Sequence, residues 1–210
     1  MQIDVVCSDL RHPIRPLLTA WCQLNGASLH DRLETLDSGD FLFLVSCQQL
    51  VSTAVRERYR HSLVLHASKL PAGRGMSPHV WQVLEGGHEI TVTLLTAADP
   101  VDSGNIWMQQ SFTLAGHELC DEINAALFRC ELALMDWALV HCDTTQACQQ
   151  EGEPSYYRRR SPEDSRLDPH QSLAAQFDLL RVADPERYPA FFELRGCRYE
   201  VVLRKVGDTE

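Results

Sequence analysis

Two side chains in this sequence have the chemistry of an acid–base pair. The run SLVLHAS at 62–68 carries His66, and the loop ADPVDSGN carries Asp102. An imidazole titrates close to neutrality and can take or give a proton, and a carboxylate beside it orients the ring and stabilises the imidazolium. The alternative for His66 is a ring that merely closes a strand with its hydrogen bonds satisfied. A second group, Tyr156 and Tyr157 followed by Arg158, Arg159 and Arg160, is the densest basic and aromatic patch in the chain. Arginine forks suit phosphate and tyrosine faces suit stacking, although a solvated loop tied to Glu163 and Asp164 has the same composition. The eight cysteines are scattered, with no C-x-x-C and no zinc-type spacing to histidine, and are read as reduced packing residues with no metal.

The elements that must place these groups follow from hydrophobic patterning. Residues 2–7 alternate and are β-branched, a first strand, and HPIRPLLTAWCQLNG has helical spacing that stops at Asn25-Gly26. GDFLFLVSC at 39–47 reads as a buried strand, QQLVSTAVRERYR as a short helix, and 62–68 as another strand. This rhythm predicts an α/β fold, a Rossmann-like parallel sheet flanked by helices. LPAGRGMSP at 70–78 is a shaped loop, followed by a helix, the strand EITVTLLTA, the loop 98–105 and the strand IWMQQSFTL. Ligands of open α/β sheets bind outside the carboxyl ends of strands, where this reading puts both His66 and Asp102. A long amphipathic helix is predicted over 116–142, and after a polar stretch come a short helix and a hairpin turning at Arg195-Gly196. A core of 1–150 and a C-terminal loop, helix and β-hairpin of 151–210 are the expected division. The four tryptophans, Trp21, Trp81, Trp107 and Trp137, are read as packing residues. His79, just past the loop, either approaches a substrate or packs.

The stretch 63–107 resembles the folate-dependent formyltransferase family, whose pattern is a strand ending in N-x-H, a loop S-x-L-P-x-x-R-G-x-x-P, a helix, a strand and D-[ST]-G. The matching residues are His66, Ser68, Leu70, Pro71, Arg74, Gly75, Pro78 and Asp102-Ser103-Gly104. The wording HASKLPAGRGMSPHVW and the tail FDLLRVADPERYPAFFELRGCRYEVVL are similar to bacterial nucleotide-sugar N-formyltransferases of the pseudaminic acid pathway type. The resemblance implies transfer of a formyl group from 10-formyltetrahydrofolate to a 4-amino group on a nucleotide-linked dideoxy sugar, with His66 and Asp102 catalytic. It implies folate contacts at Gln48, Gln49, Leu50, Ala98, Asp99 and Val101, largely through backbone. It implies substrate contacts at Ser68, Lys69, Arg74, Gly75, Arg181 and Tyr188. For Lys69 and Arg74 the alternative is a solvated side chain, and for Arg181 and Tyr188 a helix-end ion pair and a core tyrosine. The sequence departs from the family at Val64, where the pattern has the Asn implied to donate to the developing oxyanion. Formyl transfer passes through a tetrahedral intermediate, so an oxyanion donor, a proton route and alignment of both partners are required.

The net charge of −10 argues against a nucleic-acid partner, which is bound through a broad basic surface. Only Lys69 and Lys205 of 19 basic residues are lysine, so forked, local anion contacts outweigh diffuse positive charge. No membrane-length apolar run and no basic leader precede the first strand, and a cytoplasmic protein, alone or as a homodimer, is expected. Glycinamide ribonucleotide and methionyl-tRNA formyltransferases are alternatives within the family, the first opposed by Val64 and the tail, the second by the charge. A non-catalytic folate or nucleotide binding module is the alternative outside enzymology.

Overall fold

The computed structural model describes residues 1–207. In chain order the elements are β1 (Ile3–Val6), α1 (Arg15–Asn25), β2 (Ser28–His30), β3 (Gly39–Val45), α2 (Thr53–Arg56), β4 (Tyr59–His66), β5 (Arg74–Gly75), α3 (Pro78–Leu84), β6 (Glu89–Thr96), β7 (Ile106–Thr113), α4 (Cys120–His141), β8 (Tyr156–Tyr157), α5 (Phe177–Arg181), β9 (Ala190–Leu194) and β10 (Cys197–Val201). Helix α1 starts with Pro16 in its first turn and ends at Gly26, whose φ of 63° is the left-handed cap that glycine tolerates.

Six strands form one sheet in the order β2-β1-β3-β4-β6-β7. The pairings among β2, β1, β3 and β4 are parallel, as the strand–helix–strand rhythm predicts. The second half corrects the expectation of an all-parallel sheet, because β6 runs antiparallel to β4 and β7 antiparallel to β6. Length explains the reversal. The seven residues of α3 rise about 10 Å, well short of the roughly 27 Å of an eight-residue strand, so the chain re-enters beside the carboxyl end of β4 and runs back. The helix expected over QQLVSTAVRERYR shrinks to the four residues of α2, since β4 already begins at Tyr59, whose hydroxyl donates to the buried Asp4 carboxylate at 2.8 Å.

The period of two along the strands sorts the core onto two faces. Ile3, Val5, Phe41, Phe43, Leu63 and Leu65 pack with α1 and with Leu127, Phe128 and Leu134 of α4 on one face. Val6, Leu42 and Leu44 pack with Val64 and Ala97 on the other. Trp21 belongs to the first cluster and donates its indole N–H to Asp136 at 2.7 Å; Trp107 and Trp137 pack against it, as expected of structural tryptophans. Trp81 instead stacks on Tyr157 beneath Arg158. The C-terminal hairpin β9–β10 turns at Arg195 and Gly196, φ 52° and 80°, the paired left-handed residues of a tight hairpin. The parallel pairing of β5 with β8 is not visible in the pattern, and it draws 156–157 onto the loop after β4. Among the described residues no helix is long and apolar enough to cross a membrane.

Candidate active site

His66 is the last residue of β4, held opposite Thr93 of β6, and its side chain is buried. Its Nε2 lies 2.8 Å from the carbonyl oxygen of Gly73. A carbonyl can only accept, so Nε2 carries a proton and Nδ1 is the nitrogen free to gain or lose one. Nδ1 lies 3.6 Å from Oδ1 of Asp102, too long for a direct hydrogen bond but within range to stabilise an imidazolium. The other carboxylate oxygen, Oδ2, accepts the backbone N–H of Gly75 at 2.9 Å. One oxygen of Asp102 therefore fixes the loop and the other faces the imidazole.

Because β6 is antiparallel, the loop carrying Asp102 does not leave from the carboxyl end beside His66, as a parallel arrangement would have it. It begins opposite Leu63, with Ala97 donating to the Ser62 carbonyl at 2.8 Å, and doubles back. Gln150 holds it there: its amide nitrogen donates to the carbonyls of Asp102 and Gly104 at 2.8 and 2.9 Å, while its oxygen accepts from Arg74 at 2.6 Å. This residue ties both loops together and has no signal in the sequence beyond a place in a polar stretch. Gln150→Ala should lower turnover on the order of ten- to a hundredfold by loosening Asp102, with little change in the thermal midpoint; steady-state kinetics beside a melting curve checks it. Asp102 itself has φ 61°, and Ser46 and Ser77, both at φ 50°, line the same site. Left-handed non-glycine residues held at a site mark conformations imposed by the surrounding packing.

A cavity of about 460 Å³ opens at the pair and straddles the carboxyl edge of the sheet, reaching residues of both core faces. On the Val64 and Leu44 side it is walled by Gln48, Gln49 and Leu50 from the loop after β3, and by Ala98, Asp99 and Val101. On the α4 side it meets His12, His79, Arg159, Arg160, Arg187 and Tyr188, and a stripe of α4 that includes Asn124, Leu127 and Glu131. His66, Asp102 and Gly75 line the same cavity. Gly75, at φ 101°, has no room for a side chain, since a Cβ would stand 2.2 Å from the Tyr157 carbonyl oxygen.

Four of the expected substrate contacts, Ser68, Lys69, Arg74 and Arg181, lie outside the cavity lining. Ser68 is buried behind β4, where its carbonyl accepts from Thr93. Lys69 is exposed on the far side of the loop. Arg74 is turned outward by the β5–β8 pairing, toward Gln150 and the Tyr156 hydroxyl. Arg181 is buried under the C-terminal hairpin and ion-pairs with Asp178 at 2.6 Å, which is the helix-end pair of the alternative reading. The arginine triplet divides: Arg158 ion-pairs with Asp164 and covers Trp81, whereas Arg159 and Arg160 line the cavity, with Arg160 over the Tyr188 ring at 5.3 Å.

Sequence reasoning passed over His12 and Glu131. Burial, reinforced by Arg187, pushes the His12 imidazole down to about 4; burial and the nearby His12 and Arg160 do the same to His79, so both are neutral at neutral pH. Glu131, with 4% of its surface exposed, has its carboxyl pushed up to about 8 by burial alone. The folded state thus holds one more proton than the unfolded state between the ordinary value of 4.5 and about 8. Its presence costs stability progressively as pH rises through that window. Glu131→Gln should therefore stabilise the protein more at about pH 8 than at about pH 5, by an increment on the order of 3 kcal/mol, read from denaturant melts at both pH values.

The sequence profile of the formyl transferase family matches residues 23–139, more than half of the chain. The chain belongs to the formyltransferase family. Solved structures share the fold of this formyltransferase. Methionyl-tRNA formyltransferase from Clostridium thermocellum superposes with a TM-score of 0.83 at 19% identity, over 99% of this chain and 94% of that one. A 4-N formyltransferase from Francisella tularensis gives 0.76 at 16% identity, over 98% of each chain. The formyltransferase PseJ from Anoxybacillus kamchatkensis, solved with UDP-4,6-dideoxy-4-formamido-L-AltNAc and tetrahydrofolate, gives 0.59 at 20% identity, over 75% of this chain and 86% of that one. Membership of the formyltransferase family assigns the chain to the transferases and accounts for the ordered motif from His66 to Gly104.

Proposed function

We propose that this formyltransferase moves a formyl group from 10-formyltetrahydrofolate to the 4-amino group of a nucleotide-linked dideoxy sugar. The observation that carries the reading is that His66 and Asp102 line one cavity together with the loops after β3 and β6 and with an arginine-bearing segment. The wall from the loops after β3 and β6 presents exposed apolar side chains, Leu50 and Val101, beside backbone, which suits a flat pteridine. The other wall presents Arg159 and Arg160, which suits phosphate, and Arg187, which is ion-paired with Asp9 at 2.6 Å. Arg159, Arg160, Val182, Asp184, Arg187 and Tyr188 bring the C-terminal segment into this cavity, which gives it a role in holding the acceptor.

Asp102 Oδ1 and His66 Nδ1 lie 3.6 Å apart, so an acceptor nitrogen placed beside the pair can pass its proton to the carboxylate or the ring, which then returns a proton to the departing folate nitrogen. Val64 lies in the cavity wall with no donor to offer. The oxyanion contact then falls to His66, whose protonated Nδ1 is the donor the geometry leaves available, with Asp102 stabilising the charge. A competition assay identifies the acceptor. With the folate donor present, a nucleotide-linked 4-amino sugar, glycinamide ribonucleotide and methionyl-tRNA are offered together and the formamide is identified by mass. The sugar nucleotide is the expected product; formylation of only one of the other two would replace this reading.

A further inference from the structure

The α4 wall contains two buried polar atoms that nothing in the protein satisfies. Oε2 of Glu131 and Nδ1 of His79 have no hydrogen-bond partner among the described residues, and both side chains line the cavity. Glu131 lies in the middle of α4, between Leu127 and Leu134 on the buried stripe, where it caps no helix end and faces no ion-pair partner. An apolar residue there would join the core at no desolvation cost, and a buried carboxyl without a partner is costly to keep. His79 is brought to the same wall by α3, which starts at Ser77 in its left-handed conformation.

We infer that Glu131 and His79 form a recognition site for the uncharged, hydroxyl- or amide-bearing ring of the acceptor, with the Glu131 carboxyl donating a hydrogen bond. The inference rests on the acceptor reading given above and adds where its sugar ring is held. Three observations converge on it. The orphaned atoms come from two different elements and meet one cavity. Both groups are uncharged at neutral pH, because the Glu131 carboxyl keeps its proton and the His79 imidazole lacks one. Arg159, Arg160 and Arg187 line the same α4-side wall, so an uncharged polar subsite accompanies an anion subsite. A neutral ring carrying hydroxyl or amide groups and linked to phosphate matches that division; a uniformly anionic or uniformly apolar ligand does not. A protonated carboxyl offers one donor and one acceptor, and so pairs with a hydroxyl or an amide in either direction.

The experiment compares wild type, Glu131→Leu and Glu131→Gln in the full chain, with the best nucleotide-linked 4-amino sugar as acceptor. Glu131→Leu should raise the acceptor KM about tenfold or more, with kcat and the folate KM within about threefold. Glu131→Gln keeps a donor and an acceptor at the same position and should restore the acceptor KM. An acceptor lacking the ring hydroxyl that Glu131 holds should lose affinity for wild type but not for Glu131→Leu. An unchanged acceptor KM in Glu131→Leu overturns the inference, as does a fall in kcat and melting temperature in both variants with no KM effect, which is the signature of a structural role. If wild type formylates no sugar nucleotide, the functional reading fails separately. Calorimetric binding of one nucleotide-linked 4-amino sugar to the three proteins then decides the inference, equal affinities contradicting it.

Discussion

Asp102→Asn abolishes most formyl transfer while leaving the loop in place. The asparagine oxygen can still accept the Gly75 N–H that Oδ2 accepts at 2.9 Å, so the fold of the site survives. The negative charge 3.6 Å from His66 Nδ1 is lost, and an amide N–H or a neutral oxygen takes its place. Neither stabilises an imidazolium nor accepts a proton from an acceptor ammonium. General acid–base groups contribute on the order of a hundred- to ten-thousand-fold to rate, and kcat should fall within that range. His66→Ala removes the other half of the pair and, with Val64 in the wall, the oxyanion donor too, so its loss should be at least as large. Binding of tetrahydrofolate, measured by calorimetry, should change little in either variant, because the loops after β3 and β6 remain. A kcat within about threefold of wild type for Asp102→Asn would assign the proton transfer to another group.

Gly104→Ala should cost both activity and stability without touching a reacting group. A Cβ at this position would stand 1.8 Å from the carbonyl oxygen of Thr96. That carbonyl ends β6, a strand pinned between β4 and β7, so the loop must give way rather than the strand. Movement of Gly104 breaks the pair of hydrogen bonds through which Gln150 holds the Asp102 and Gly104 carbonyls, and it carries Asp102 away from His66. Overpacking of this kind costs about 1–3 kcal/mol, and a misplacement of about an ångström at the pair costs on the order of a hundredfold in rate. Ser103→Ala is the matched control. Its hydroxyl bonds only within the loop, to the Pro100 carbonyl at 2.5 Å, and its loss should leave turnover near wild type. Chemical denaturation and turnover of the two variants side by side test the contrast.

The arrangement of the N-terminal half was legible because its strands are apolar runs with β-branched residues and its helix carries both a proline start and a glycine stop. The reversal at β6 was not legible: strand and helix patterns look the same whichever way the next strand runs, and only the shortness of α3 hints at it. Gln48, Gln49, Leu50, Ala98, Asp99 and Val101 line the cavity, since loops that follow strand ends are placed by the sheet, and Gly75 and Tyr188 line it from outside those loops. Arg74 shows why a motif position does not give a direction. It sits in the pattern yet points away, because its backbone pairs with a segment far along the chain. The split of Arg158 from Arg160 was not legible either, since an extended backbone would turn residues two apart to the same side, whereas Arg158 goes to Asp164 and Trp81 and Arg160 to the cavity. Glu131 did carry a signal: a carboxylate in the buried stripe of FRCELALMDW, four residues from Leu127 and three from Leu134, where helical periodicity calls for an apolar side chain.

The most direct measurement follows a labelled carbon. 10-Formyltetrahydrofolate carrying carbon-13 in the formyl group is incubated with the protein and a nucleotide-linked 4-amino sugar, and the fate of the label is read by NMR. The label should appear in a sugar formamide, one equivalent for each tetrahydrofolate released, and should stay on the folate with His66→Ala. Label that remains on the folate with wild type and every amine offered, or that emerges only as free formate, would contradict transfer by His66 and Asp102.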